Sequence, residues 1–386
     1  MFNFTALPPL SLYIHVPWCV KKCPYCDFNS HKSPEVLAED DYIDALIRDL
    51  EYVVPSVWGR TIQTVFIGGG TPSLFSAKAY EKLFSSLRAL LPISHHAEIT
   101  LEANPGTFEQ HRFADYLSLG INRLSIGIQS FDDQSLNALG RIHDGQQAIA
   151  AVDTAQQVGF ENINLDLMFG LPEQTAKTAQ QDIETAIALE PTHLSYYQLT
   201  IEPNTLFHQQ PPTLPDDDPI IDWQLNSQSK LAKAGYQQYE VSAYAKENQQ
   251  CRHNLNYWQF GDYLGIGAGA HGKVSDAAKQ TITRQSKQKQ PQAYIDSAGT
   301  EKSVLTNEII TSKDIGFEFM LNALRLTDGF PTPLFYQQTG IPLSHIERAL
   351  KQAEQQELIS WDIKSIKPTE KGQRYLNNLI ALFLPK

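Results

Sequence analysis

Cys19, Cys23 and Cys26 fall within one short run, Tyr13-Ile-His-Val-Pro-Trp-Cys19-Val-Lys-Lys-Cys23-Pro-Tyr-Cys26, and the fourth cysteine, Cys251, lies far away in the sequence. A disulfide framework spreads its cysteines, whereas a metal site gathers them. Three thiolates at CxxxCxxC spacing can wrap one iron–sulfur cluster and leave one iron without a protein ligand, open to a second molecule. The competing reading is a closed structural zinc site with Cys251 or a histidine as fourth ligand. Pro24 and Tyr25 would stiffen the loop and set an aromatic face beside the metal.

The elements that must position this loop are legible as alternation. Short apolar runs, beginning with Leu12 to Val16, Val65 to Ile67, Glu98 to Glu102, Arg123 to Gln129, Asn162 to Met168 and His193 to Thr200, alternate with amphipathic helical stretches. Residues 41–54, for example, carry Ile43, Leu46, Ile47 and Leu50 on one helical face. Such β-then-α units predict an α/β fold of parallel strands with helices packed outside. The unusual residues follow or end the strands: Cys19 to Cys26, Gly68 to Thr71, Glu102, Gln129, Asp166 and Thr200. In a parallel barrel those ends share the face where active sites gather. The expectation is therefore a partial parallel (β/α)6-type barrel over residues 1–245.

From 246 to 307 the pattern weakens into a connecting segment, and Gln280 to Gln292 (QTITRQSKQKQPQ) reads as exposed loop. Residues 308–386 read as a smaller helical, winged-helix-like domain: a stripe of Phe317, Met320, Leu321 and Leu324, a helix over 343–355, a hairpin over 358–366 and a last helix over 369–384.

Composition bounds the function. The 386 residues carry a formal charge of −12, which argues against non-specific nucleic-acid binding. No apolar run is long enough to span a membrane, and the first twelve residues lack the pattern of a secretory signal. A reducing cytoplasm is the expected location.

The stretches LSLYIHVPWCVKKCPYCDFNS, FIGGGTPS, EANP, SIGIQSF, GRIH, NLDLMFGLP and HNLNYW, together with the C-terminal region, resemble the HemN/HemW family of the radical S-adenosylmethionine superfamily along nearly the whole chain. The resemblance implies a radical SAM core with a 4Fe–4S cluster on Cys19, Cys23 and Cys26, S-adenosylmethionine on the open iron, and an external one-electron donor. It also implies adenosylmethionine contacts from Tyr13, Gly69, Gly70, Thr71, Glu102, Gln129, Arg141, Asp166 and Thr200, with Tyr25 beside the cluster. The types suit the ligand: carboxylates accept from ribose hydroxyls or an ammonium, and an arginine pairs with a carboxylate.

The family holds oxygen-independent coproporphyrinogen oxidases and heme chaperones. The oxidase branch has CxxxCxxCxC, where this chain has Phe28, and a longer N-terminal segment. HNxxYW, here His253 to Trp258, is associated with the chaperone branch. That branch implies heme as ligand, heme-requiring proteins as recipients, and a cluster that supports dimerisation or transfer. His253 is the first candidate for a heme contact, with Arg252 for a propionate and His271 and Cys251 as further ligand candidates. A catalytic radical enzyme acting on a porphyrinogen and a cluster-bearing structural or electron-transfer protein are the rival readings.

Overall fold

The computed structural model describes residues 2–106 and 110–385; the expected outer bounds at residues 1 and 386 lie outside them. Six strands alternate with helices: β1 (Leu10–Val16), β2 (Ile62–Gly69), β3 (Ile93–Ala103), β4 (Arg123–Gln129), β5 (Asn162–Phe169) and β6 (His193–Gln198). They lie side by side in sequence order and all pair in parallel. The principal helices between them are α1 (Glu39–Val53), α2 (Ala77–Leu90), α3 (Phe113–Ser118), α4 (Gly145–Val158) and α5 (Ala176–Ala188). Their starts are written locally. Ser76 caps α2, and Asp144 and Thr175 head capping boxes on α4 and α5. Gly159 ends α4 in the left-handed region at φ 106°.

Each strand sorts its residues by parity, because successive side chains point to opposite faces. Leu12, Ile14 and Val16 of β1, Val65 and Ile67 of β2, Leu124 and Ile126 of β4, and Leu165 and Leu167 of β5 enter the main apolar core. The alternate set is polar: Ser11, Tyr13 and His15, then Thr64, Glu98 and Glu102, then Arg123 and Ser125, Asn164 and Asp166, His193 and Ser195. These groups bond across the strands: Thr64 Oγ1 to Ser11 Oγ at 2.8 Å, Asn164 Nδ2 to Ser125 Oγ at 2.8 Å, and Ser195 Oγ to Asn164 Oδ1 at 3.1 Å. The sheet thus has a polar inner face, as a half-open barrel with a ligand site requires.

The sheet remains open. At one edge, after helix α6 (Asp217–Lys233), the antiparallel pair β7 (Gln237–Glu240) and β8 (Ala243–Ala245) follows β6. At the other edge, β9 (Asp262–Ile266) lies parallel to β1 and is extended by β10 (His271–Asp276), β11 (Thr281–Lys287) and β12 (Val304–Ile309). Among the described residues twelve strands form this one sheet.

The expected exposed loop over 280–292 is therefore corrected. Most of it is β11, paired on both sides. Its polar composition hid the strand, because what β11 buries is partly charged. Lys287 Nζ reaches buried Asp49 of α1 at 2.6 Å, and Asp49 also accepts from Tyr294 Oη at 2.7 Å.

The C-terminal region packs around a second core of Phe319, Phe335, Leu350, Ile366 and Leu379, which Phe2 and Phe4 join. Three short strands, Phe330–Pro331, Ser365–Pro368 and Ile359–Trp361, form its sheet beside helices that include Ile315–Ala323 and Glu347–Gln355. The single last helix expected over 369–384 is two, Glu370–Arg374 and Leu376–Ala381. Each half answers to a different contact: Gly372 sits against the Leu358 carbonyl, while Leu379 and Ile380 enter the core.

Lys287→Ala should cost about 3–5 kcal/mol of stability by leaving Asp49 buried without its cation, read as a lower midpoint in denaturant unfolding. An unchanged midpoint would remove this ion pair from the account of the edge strands.

Candidate functional site

The C-terminal ends of β1 and β2 carry the cysteine loop and the glycine turn, and backbone bonds join them. Gly70 N donates to Val16 O and Thr71 N to Trp18 O, both at 2.7 Å. A Cβ on Gly70 would stand 2.5 Å from Trp18 O, and one on Gly69, at φ 116°, would meet the His15 ring at 2.5 Å. These glycines are required by close approach and by a conformation that side chains resist. Further along, Phe207 N donates to Pro24 O at 3.0 Å, and Pro24 packs against Gly140.

Cys19, Cys23, Cys26 and Tyr25 line a cavity of about 330 Å³ with Gly69, Gly70 and Thr71. Glu102, Gln129, Arg141 and Asp166 complete its polar wall. Among the described residues no three His, Cys, Asp or Glu side chains converge on one ion position. A zinc site would draw its sulfurs to about 2.3 Å from a single point, whereas a cluster gives each thiolate its own iron.

The electrostatics of the wall follow from burial. Desolvation, reinforced by Asp166, pushes Glu102 up to about 7; its carboxylate accepts from Gly69 N at 2.9 Å. Asp166 is also raised, chiefly by burial, and accepts from Asn164 and Ser125. Burial raises the Cys19 thiol as well, so a thiolate there calls for the positive charge of iron. Arg141 donates to Gly127 O at 2.6 Å, to Asn104 Oδ1 at 2.9 Å and towards Cys23 Sγ at 3.6 Å. Among the described residues its Nε is buried with no hydrogen-bond partner. A buried donor left over beside a polar cavity fits a ligand carboxylate.

Not every expected residue reaches this cavity. Tyr13 lines an adjoining cavity of about 680 Å³, which shares Cys26, Phe28, Gly69 and Glu102 with the first. Thr200 stands outside it: β6 ends at Gln198, and exposed Thr200 donates to Glu202 at 2.8 Å. Ser195 and Tyr197 line the wall instead, and Tyr197 Oη donates to Gln129 Oε1 at 2.9 Å. They were missed although their i, i+2 spacing puts them on the polar face of β6. Asn104 was missed too, standing inside EANP, and it bridges Thr71 and Arg141.

His253 is placed differently from the expectation. It lies on helix α7 (Arg252–Trp258) near the N-terminal ends of β1 and β2 and is 1% exposed. Its Nδ1 meets Thr64 Oγ1 at 2.7 Å and its Nε2 meets Tyr257 Oη at 3.1 Å, so this arrangement leaves no ring nitrogen for a heme iron. Burial lowers it to about 3. Glu98 accepts from the Arg252 and His253 amides at 3.0 Å each, holding the N-terminus of α7. Cys251 is fully buried beside Glu98 and pushed up to about 12 by that burial, which keeps it a neutral thiol.

Residues 13–186 match the Radical SAM superfamily and residues 310–375 the HemN C-terminal domain. The chain is 49% identical to "Heme chaperone HemW" of Escherichia coli (strain K12), over 98% of this chain and 99% of that protein. The chain belongs to the HemW family. Proteins of the same name from Haemophilus influenzae and Bacillus subtilis are 48% and 34% identical, each over at least 97% of both chains. In fold it matches the E. coli coproporphyrinogen III oxidase HemN with a TM-score of 0.82, at 24% identity over 98% of this chain and 90% of that one. Membership in this radical SAM family implies a 4Fe–4S cluster and S-adenosylmethionine as cofactors, and the three half-buried thiols, the glycine cradle and the spare Arg141 donor fit them.

Gly70→Ala should lose most of the iron and sulfide bound on anaerobic reconstitution, because a methyl cannot stand where the Trp18 carbonyl is. The triple Cys19, Cys23, Cys26→Ser variant should lose all of it. Full iron content in the triple variant would refute the cluster assignment. Glu102 supplies a pH test. Its folded-state pKa lies above the unfolded value, so the folded state binds the extra proton and stability falls as pH rises from about 4.5 to about 7. Glu102→Gln should flatten that decline in unfolding measured at pH 5 and pH 8; equal declines in both proteins would contradict the assignment.

Proposed function

We propose that this protein binds heme and delivers it to heme-requiring proteins, carrying a 4Fe–4S cluster on Cys19, Cys23 and Cys26 and S-adenosylmethionine against the glycine turn. The observation that carries this reading is full-length identity of 49% to a protein named as a heme chaperone. The likeness to the oxidase HemN, at 24% identity, speaks for fold alone. Phe28, 63% exposed at the junction of the two cavities, stands where the oxidase branch has a further cysteine. It offers an apolar face and no thiol.

The chain's own residues supply binding and orientation. Thr71 and the Gly69 and Gly70 backbone take the methionine end of adenosylmethionine, Arg141 its carboxylate, and Glu102 and Asp166 its ammonium or hydroxyl groups. When reduced, a bound cluster supplies one-electron chemistry to the sulfonium, for which an external donor is needed. Among the described residues no helix is long and apolar enough to cross a membrane. A cytoplasmic setting, recipients that are heme proteins and not nucleic acids, and a homodimer supported by the cluster belong to this reading. So does the division into a core at 1–245, a segment at 246–307 and a C-terminal unit at 308–386.

Two assays separate the readings. Cluster-loaded protein should bind heme stoichiometrically, pass it to an apoprotein acceptor, and leave coproporphyrinogen III unchanged in the presence of adenosylmethionine and strong reductant. Decarboxylated product would instead establish oxidase chemistry. Reduction of a partner without either behaviour would establish an electron-transfer protein.

A further inference from the structure

The expected heme contact, His253, has both ring nitrogens engaged and is buried, which reopens the question of where heme would sit. Two further histidines face the larger cavity of about 680 Å³. His15 is held on both sides, with Nδ1 at 3.0 Å from Tyr13 Oη and Nε2 at 2.9 Å from Asn29 O. His271 is different. It opens β10, is exposed to the cavity, and among the described residues its ring makes no hydrogen bond.

The rest of the cavity suits a porphyrin. Tyr13, Tyr257 and Tyr263 present aromatic faces, with the Tyr257 and Tyr263 rings edge to face at 4.5 Å. Phe28 stands exposed at the rim. Lys22 and Lys289 also line the cavity, and both are exposed. Lys22 gives two of its three donors to Phe28 O and Ser30 O and keeps one. In a chain of net charge −12, two lysines at one mouth select for an anionic group, although Asp27 and Glu102 lie in the same lining. The volume lies within the range of about 300–1,000 Å³ typical of small-molecule and cofactor sites.

We propose that this cavity is the heme site, with His271 as the axial ligand and Lys22 and Lys289 meeting the propionates. The proposal rests on the heme-binding reading above and gives it a location. His271 is suited to iron because its ring is open to the cavity and, among the described residues, makes no hydrogen bond. Its wall is tied to the cysteine loop: Asn29 Nδ2 donates to Ala268 O at 2.8 Å and to Lys289 O at 2.9 Å. Heme held here would lie beside Cys26, which both cavities share.

The test is a titration of ferric heme into the full-length, cluster-loaded protein, read as difference spectra against the heme-free sample and by electron paramagnetic resonance. His271→Ala should abolish the spectrum of histidine-ligated heme and weaken binding by about tenfold or more, with added imidazole restoring the spectrum. The Lys22→Ala, Lys289→Ala double variant should weaken binding of heme by about tenfold but not that of its dimethyl ester. Cluster absorbance retained in each variant checks folding. Wild-type binding that His271→Ala leaves unchanged would overturn this site and leave the chaperone reading standing. Absence of heme binding by the wild type would overturn the chaperone reading itself.

Discussion

Everything on the C-terminal face of the sheet depends on one close approach of backbone to backbone. The turn after β2 presses against the strand-like start of the cysteine loop, with amides of Gly70 and Thr71 on carbonyls of Val16 and Trp18. No Cβ fits at Gly70, and Gly69 combines a positive φ with contact against His15. The two segments that would hold a cluster and its ligand are thereby locked into one unit. The lock uses main-chain groups alone, so it consumes neither the cysteine thiols nor the Thr71 hydroxyl, which accepts from Asn104 Nδ2 instead.

The second constraint is the polar inner face. Buried polar groups need partners, and the chain meets this need differently at its two ends. At the N-terminal end of the strands, α7 closes the opening: Glu98 accepts from its first amides, His253 bonds Thr64, and Asn256 Nδ2 donates to Asp262 O. Among the described residues Arg123 Nε and Trp258 Nε1 stay buried there without a hydrogen-bond partner. At the C-terminal end the polar groups border an open cavity. Burial raises both Glu102 and Asp166, Asp166 adds to the rise of Glu102, and among the described residues Arg141 keeps a buried donor without a partner. Binding capacity concentrates where an unpaired donor lines a cavity.

The edge strands extend this logic outward. β9 to β12 continue the sheet past β1 and bring His271, Tyr263 and Lys289 alongside Tyr13 and the cysteine loop. Their anchor is Asp49 on α1, which receives Lys287 and Tyr294. A helix of the core thus helps position residues more than two hundred positions later in the chain, together with the pairing of β9 on β1.

The sequence by itself determined the cysteine loop, the glycine turn, the order of the six core strands and the polar residues at their ends. These are local matters, set by spacing along one chain segment or by the parity of a strand. It also determined the family, because the matching stretches run through the whole chain. Only the tertiary structure decided which of those residues share a cavity. Thr200 fell outside because β6 stops two residues earlier, and Ser195 and Tyr197 took the wall. His253 turned inward because Thr64 and Tyr257, remote and near in sequence respectively, claim both its nitrogens. The polar stretch 280–292 became a strand because Asp49, far away in the chain, neutralises the lysine it buries. For His253 and Lys287 a deciding partner, Thr64 or Asp49, is distant in sequence, and pairing between distant residues is what periodicity and spacing do not encode.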